Sequence, residues 1–110
     1  MSSLGIRVAW EPLRSMDSST LTGAYQAIGA PLIHNCFLIK FINEAGNDIT
    51  ISTNGITDMD LCPAENFFLY DESANASREG GLSIARGTQF YIKGTASTGP
   101  IYLVAQYIAN

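Results

Sequence analysis

The segment from Gly87 to Asn110 most constrains what this chain can fold into. It holds two β-runs, Thr88-Gln89-Phe90-Tyr91-Ile92-Lys93 and Ile101-Tyr102-Leu103-Val104-Ala105-Gln106-Tyr107-Ile108. A small polar connection, Gly94-Thr95-Ala96-Ser97-Thr98-Gly99-Pro100, joins them. Two such runs around a Gly- and Pro-containing segment predict a β-hairpin. The hairpin ends almost at the last residue, so the C-terminus is expected to be part of the fold. The last run is bulky on both sides, with Ile101, Leu103 and Tyr107 on one and Tyr102, Val104 and Ile108 on the other. A sandwich buries one face of each sheet. The second face therefore needs cover, and self-association is the simplest source.

The rest of the chain reads the same way. Ile6, Val8 and Trp10 alternate along a half-buried strand that Pro12 stops or confines to an edge. Leu13 to Thr20 reads as a loop or irregular turn, and Leu21 to Ile28 as a second strand anchored by Tyr25. Ile33 to Asn43 is the strongest strand of the N-terminal half. Phe37, Ile39 and Phe41 share one face, and Cys36, Leu38, Lys40 and Ile42 share the other. Apolar residues on both faces predict a central strand covered on both sides. Ile49 to Thr53 is expected to pair with it as a hairpin. Asn54-Gly55 predicts a further tight turn into Ile56 to Leu61. Phe67 to Tyr70 is a short bulky strand, Asp71 to Gly81 a polar stretch without β pattern, and Leu82 to Ala85 leads into the final pair. The expectation is an all-β fold, a single antiparallel β-sandwich or jelly-roll-like domain of about eight short strands over residues 1–110.

Composition excludes several function classes. The 110 residues carry 6 Lys and Arg against 10 Asp and Glu, a net charge of −4. Arg7, Arg14, Lys40, Arg78, Arg86 and Lys93 are scattered and form no stripe that could neutralise a phosphate backbone. Direct nucleic-acid binding is therefore not expected. No apolar run reaches the roughly 18 residues of a membrane span. The first residues lack the pattern of a signal peptide, and a cytosolic site of synthesis is the default. The charged fraction of 15% is low for a lone soluble domain, which fits a surface partly covered by a partner.

No pattern for a reaction emerges. Cys36 and Cys62 are expected to be free, buried thiols. With His34, the only histidine, they match no zinc spacing. Asp58 and Asp60 would share a strand face near Glu65, yet the calcium-loop spacing is absent. His34 and Cys36 stand two residues apart, and a structural thiol beside a polar edge residue is the expected arrangement. No Gly-x-Ser-x-Gly elbow occurs. The glycines of Arg78-Glu79-Gly80-Gly81 and Ala85-Arg86-Gly87 belong to turns and not to a phosphate loop. Asn75-Ala76-Ser77 fits a glycosylation acceptor only by chance. No enzyme activity, cofactor or metal is expected. Tyr70, Tyr91, Tyr102 and Tyr107 offer an alternative role, a platform for a glycan or receptor.

Three stretches carry a resemblance. Gly5-Ile6-Arg7-Val8-Ala9-Trp10-Glu11-Pro12-Leu13-Arg14, Asn66-Phe67-Phe68-Leu69-Tyr70-Asp71, and Arg86 to Lys93 followed by Gly99-Pro100-Ile101-Tyr102 resemble small β-sandwich virion proteins of tailed, often short-tailed, bacteriophages. The resemblance implies a non-enzymatic structural subunit assembled in several copies in the virion, within the host cytoplasm. Its partners would be copies of itself and capsid, portal or tail components. It would decorate the capsid, build a head fibre or collar, or sit at the head–tail junction. The expected subunit interface is Tyr91, Tyr102, Val104, Tyr107 and Ile108.

Overall fold

The computed structural model describes residues 7–71 and 83–109. Ile6, Leu82, Asn110 and the motifs within 72–81, including Asn75-Ala76-Ser77 and Arg78-Glu79-Gly80-Gly81, lie outside the described residues. Among the described residues nine strands run in chain order: β1 Arg7–Trp10, β2 Arg14–Asp17, β3 Gln26–Ala27, β4 Cys36–Asn43, β5 Ile49–Ser52, β6 Asp60–Cys62, β7 Asn66–Asp71, β8 Tyr91–Lys93 and β9 Pro100–Ala109. A short 3-10 turn, Ser18–Thr20, follows β2, and its capping Asp17 accepts from the Ser19 N–H. The segment expected to be a loop, Leu13 to Thr20, thus holds a strand.

Two antiparallel sheets form. One is ordered β1-β9-β4-β7, with β2 also paired to β9, and the other is ordered β3-β8-β5-β6. β1 and β2 occupy one position along the same strand, which leaves eight positions. Their orders, 1-8-3-6 and 2-7-4-5, are those of a jelly roll. The all-β sandwich class is therefore as the sequence indicates.

The connections are not. β8 and β9 lie in different sheets, so the final pair is an arch across the sandwich and not a hairpin. β4 and β5 are likewise separated. The reason is the apolar content of these strands. The inner faces carry Ile39 and Phe41 on β4, Ile101 and Leu103 on β9, Ile49 and Ile51 on β5, and Ile92 on β8, all fully buried. Each such side chain contributes about 1.5–3 kcal/mol when it leaves water. Arches let these residues face one another across the core, where a hairpin would set them side by side. Phe41 meets Phe90 edge-on at 5.5 Å.

Polar pins hold the arches. Asn43 is buried; its Nδ2 donates to the carbonyls of Asn47, Cys62 and Pro63, and its Oδ1 accepts from the Ala45 N–H. Ser97 N–H donates to the Ser18 carbonyl, and Ser97 Oγ accepts from the Gly46 N–H at 3.0 Å. β5 and β6 do pair as a hairpin, Ile49 to Cys62 and Ile51 to Asp60. Their turn is longer than expected. Only Gly55 in it takes positive φ, and Asn54 Oδ1 accepts from the N–H groups of Ile56 and Thr57.

Two register slips shape one end of the sandwich. Trp10 faces Gln106 and Arg14 faces Leu103, so Glu11, Pro12 and Leu13 stand opposite Ala105 and Val104. Pro12 has no N–H to give a ladder, and the extra residue is absorbed there as a bulge. On β4, Cys36 faces Tyr107 but Leu38 faces Gln106, which leaves Phe37 as the extra residue. A one-residue slip moves side chains to the opposite face. Arg14 and Cys36 therefore turn inward and are buried. For Cys36 this corrects the expected face.

Candidate functional site

The two bulges assemble a polar cluster inside the sandwich. The Glu11 carboxylate, wholly buried, takes Arg14 NH2 on Oε1 at 2.8 Å. Its Oε2 accepts from the backbone N–H of Ile33 at 2.9 Å and of His34 at 2.7 Å. His34 Nδ1 lies 2.9 Å from the same oxygen, and an acceptor-only carboxylate places a proton on that nitrogen. The imidazole stacks on Tyr107 at 3.6 Å with the planes 5° apart. Arg14 also donates to the carbonyls of Pro12, Ala30 and Pro31. The cluster ties the strand break at Pro12 to the loop before β4.

Burial alone would push the Glu11 pKa up. Hydrogen bonds from His34, Arg14 and the two backbone N–H groups outweigh it and hold the carboxyl below its ordinary 4.5. Cys36 Sγ is 3.7 Å from Glu11 Oε2 and 3.4 Å from the His34 carbonyl. Burial first, and the Glu11 charge second, push the thiol up to about 12. A nucleophilic cysteine needs the reverse, a thiolate favoured at neutral pH. Both Glu11 oxygens are already taken by donors within the cluster. Alkylation of Cys36 by iodoacetamide at pH 8 is expected to proceed only on the timescale of unfolding, readable by intact mass; rapid labelling of the folded chain would contradict this.

The acidic pair does not act as one site. Asp58 Oδ1 accepts from the Tyr25 hydroxyl at 2.5 Å and pairs with Lys93 at 2.9 Å. Lys93 Nζ stands 4.8 Å over the Tyr25 ring. Asp60 instead points inward and accepts from the Tyr70 hydroxyl. Among the described residues no three His, Cys, Asp or Glu side chains are arranged to hold a metal ion. Cys36 and Cys62 are both free and buried.

The expected interface residues separate. Tyr107 turns inward onto His34. Tyr91 lies on the outer face of the β8 sheet, where Gly55 packs against its ring. Tyr70 turns inward and packs on Phe68. The four tyrosines therefore form no common platform. Tyr102, Val104 and Ile108 remain together on the outer face of the β9 sheet.

That face is the second candidate site. Directly opposed residues of antiparallel strands share a face. One row is Tyr102, Ile42 and Phe67 across β9, β4 and β7. The next is Val104, Lys40 and Leu69. Then come Trp10, Gln106, Leu38 and the exposed Asp71, and last Val8 and Ile108. Trp10 is 61% exposed, Phe67 58%, Val8 47% and Leu69 44%. Lys40 Nζ sits 5.7 Å from the centre of the Phe67 ring. Alternation along the final run singles out Tyr102, Val104 and Ile108 but says nothing of Phe67, Leu69 or Trp10. Register across strands decides which residues share the face, and no single run carries it.

Comparison with known proteins adds the fold. No family model matches the sequence, and no curated protein matches it significantly. A solved chain from Bacillus endospore appendages, described as a family of disulfide-linked pili, is similar in structure. Its TM-score is 0.50 at 12% identity, over 100% of this chain and 96% of that one.

Proposed function

We propose that this chain is a non-enzymatic structural subunit of a bacteriophage particle, assembling with copies of itself on the capsid, as decoration or head fibre, or at the head–tail and collar region. The observation that carries the reading is the apolar outer face of the β9 sheet. At ordinary strand dimensions a face four strands wide and up to ten residues long spans roughly 19 by 33 Å. That is comparable with the about 800 Å² each partner contributes to a standard interface. A face with exposed Trp10 and Phe67 and one central cation matches the apolar, aromatic core of such interfaces.

Two further points support it. The sequence resembles small virion proteins, and jelly rolls serve in viral capsids. The Bacillus neighbour belongs to pili, which supports assembly from repeated copies and bears on no virion role. Those pili are disulfide-linked, whereas both thiols here are buried. Association of this chain therefore rests on noncovalent contact.

Purified particles of a phage encoding the chain provide the test. Mass spectrometry is expected to find it there in multiple copies, and a Phe67→Glu variant supplied in its place is expected to be depleted at least tenfold. A chain absent from particles would contradict the reading.

A further inference from the structure

The outer face carries charge as well as apolar surface, and the charges are ordered. Lys40 stands near its middle, beside Phe67. Past the end of β4, Glu44 N–H donates to the Pro100 carbonyl and continues the pairing with β9. Glu44 and Glu65 line, with Ile42 and Phe67, a concavity of about 590 Å³ at that end of the face. Both glutamates are exposed, and among the described residues no ion pair includes Lys40, Glu44 or Glu65.

Lys40 and Glu44 are each two residues from Ile42, so each lies about 7 Å from it along the strand. The pattern running along β4 and one residue past its end is a positive charge, an apolar residue and a negative charge, symmetric in spacing and opposite in sign. A two-fold axis crossing the strands at the Tyr102–Ile42–Phe67 row would turn a second copy over and reverse its strands. β4 would then lie over β4, and Lys40 of each copy would meet Glu44 of the other. A two-fold contact requires this reciprocity. An axis at the Lys40 row would instead set lysine against lysine, which costs binding.

We propose that two copies meet through this half of the face, with the aromatic and apolar row on the axis and two reciprocal Lys40–Glu44 pairs fixing the register. The proposal rests on the self-assembly reading above. It leaves the Val8, Trp10 and Ile108 end of the face open to a further contact in a larger assembly.

Charge reversal tests it, with sedimentation velocity at low salt as the readout and circular dichroism confirming the fold. Lys40→Glu sets carboxylate against carboxylate at both pairs, and Glu44→Lys sets lysine against lysine. Each variant alone is expected to self-associate at least tenfold more weakly than wild type. Mixed one to one, they recover association, because one copy then carries two carboxylates and the other two lysines, and both pairs between copies again join opposite signs. The double variant K40E/E44K recovers it on its own. A wild type that stays monomeric would overturn the self-assembly reading and this one with it. A wild type that associates, while either single variant does so equally well or the mixture shows no recovery, would overturn the register alone.

Discussion

Replacing Glu11 with alanine is expected to destabilise the fold by about 3–5 kcal/mol, the range for removing one partner of a buried ion pair. The loss leaves the buried Arg14 guanidinium facing no charge, and strips the acceptor from the backbone N–H groups of Ile33 and His34. The midpoint of urea unfolding at pH 7, with its slope unchanged, gives the value. A change below about 1 kcal/mol, the range of an exposed pair, would mean the cluster is not a structural anchor. The same carboxylate sets an acid limit. Its folded pKa is depressed below 4.5, so its contribution is fully present above the unfolded value. It is lost as pH falls through the folded value, because the unfolded chain takes up the proton first. Wild type should therefore lose stability below pH 4.5, and Glu11→Gln should lose less over that window. Parallel pH profiles for the two proteins would contradict this linkage.

Gly99→Ala carries the second large effect. Gly99 has φ +106, a conformation L side chains rarely adopt, and an added Cβ would stand 2.3 Å from the Glu44 carbonyl oxygen. The clash is with backbone, which cannot rotate away. Strain and overpacking together are expected to cost about 2–5 kcal/mol. Gly87→Ala is the control: it has φ +90 but nothing within 4 Å of an added Cβ, so only the conformational cost of about 1–2 kcal/mol remains. Equal effects at the two positions would show that the β8–β9 arch does not press against the β4–β5 arch. Thermal unfolding of both variants measures the difference.

The strands themselves are written in alternation, and β4, β7 and β9 can be found from their residues. What joins them is not. Gly94 to Pro100 reads as a hairpin loop by its residue types, because Gly and Pro mark a change of direction without saying which sheet the chain enters next. Only the demand that Ile92 and Leu103 both reach one core makes it an arch. The Glu11 cluster is hidden for a related reason. Period-two alternation puts Arg14 on the face of Trp10, and Cys36 on the face of Leu38. The bulges at Pro12 and Phe37 reverse both assignments. Pro12, set in the run Glu11-Pro12-Leu13-Arg14, is the one local sign that such a reversal occurs. Tyr107 follows the alternation faithfully, inward with Leu103, and so leaves the interface its bulk suggests. Tyr91 sits on the opposite sheet because β8 pairs with β3 and β5, a pairing that three residues of strand do not announce.

Self-association of the wild-type chain is the decisive quantity. Sedimentation equilibrium over a hundredfold range of concentration at neutral pH is expected to give a weight-average mass that rises above the 11.8 kDa monomer, with Phe67→Glu remaining monomeric over the same range. A wild-type mass fixed at the monomer value throughout would contradict the claim that the outer face of the β9 sheet is built to meet a second copy.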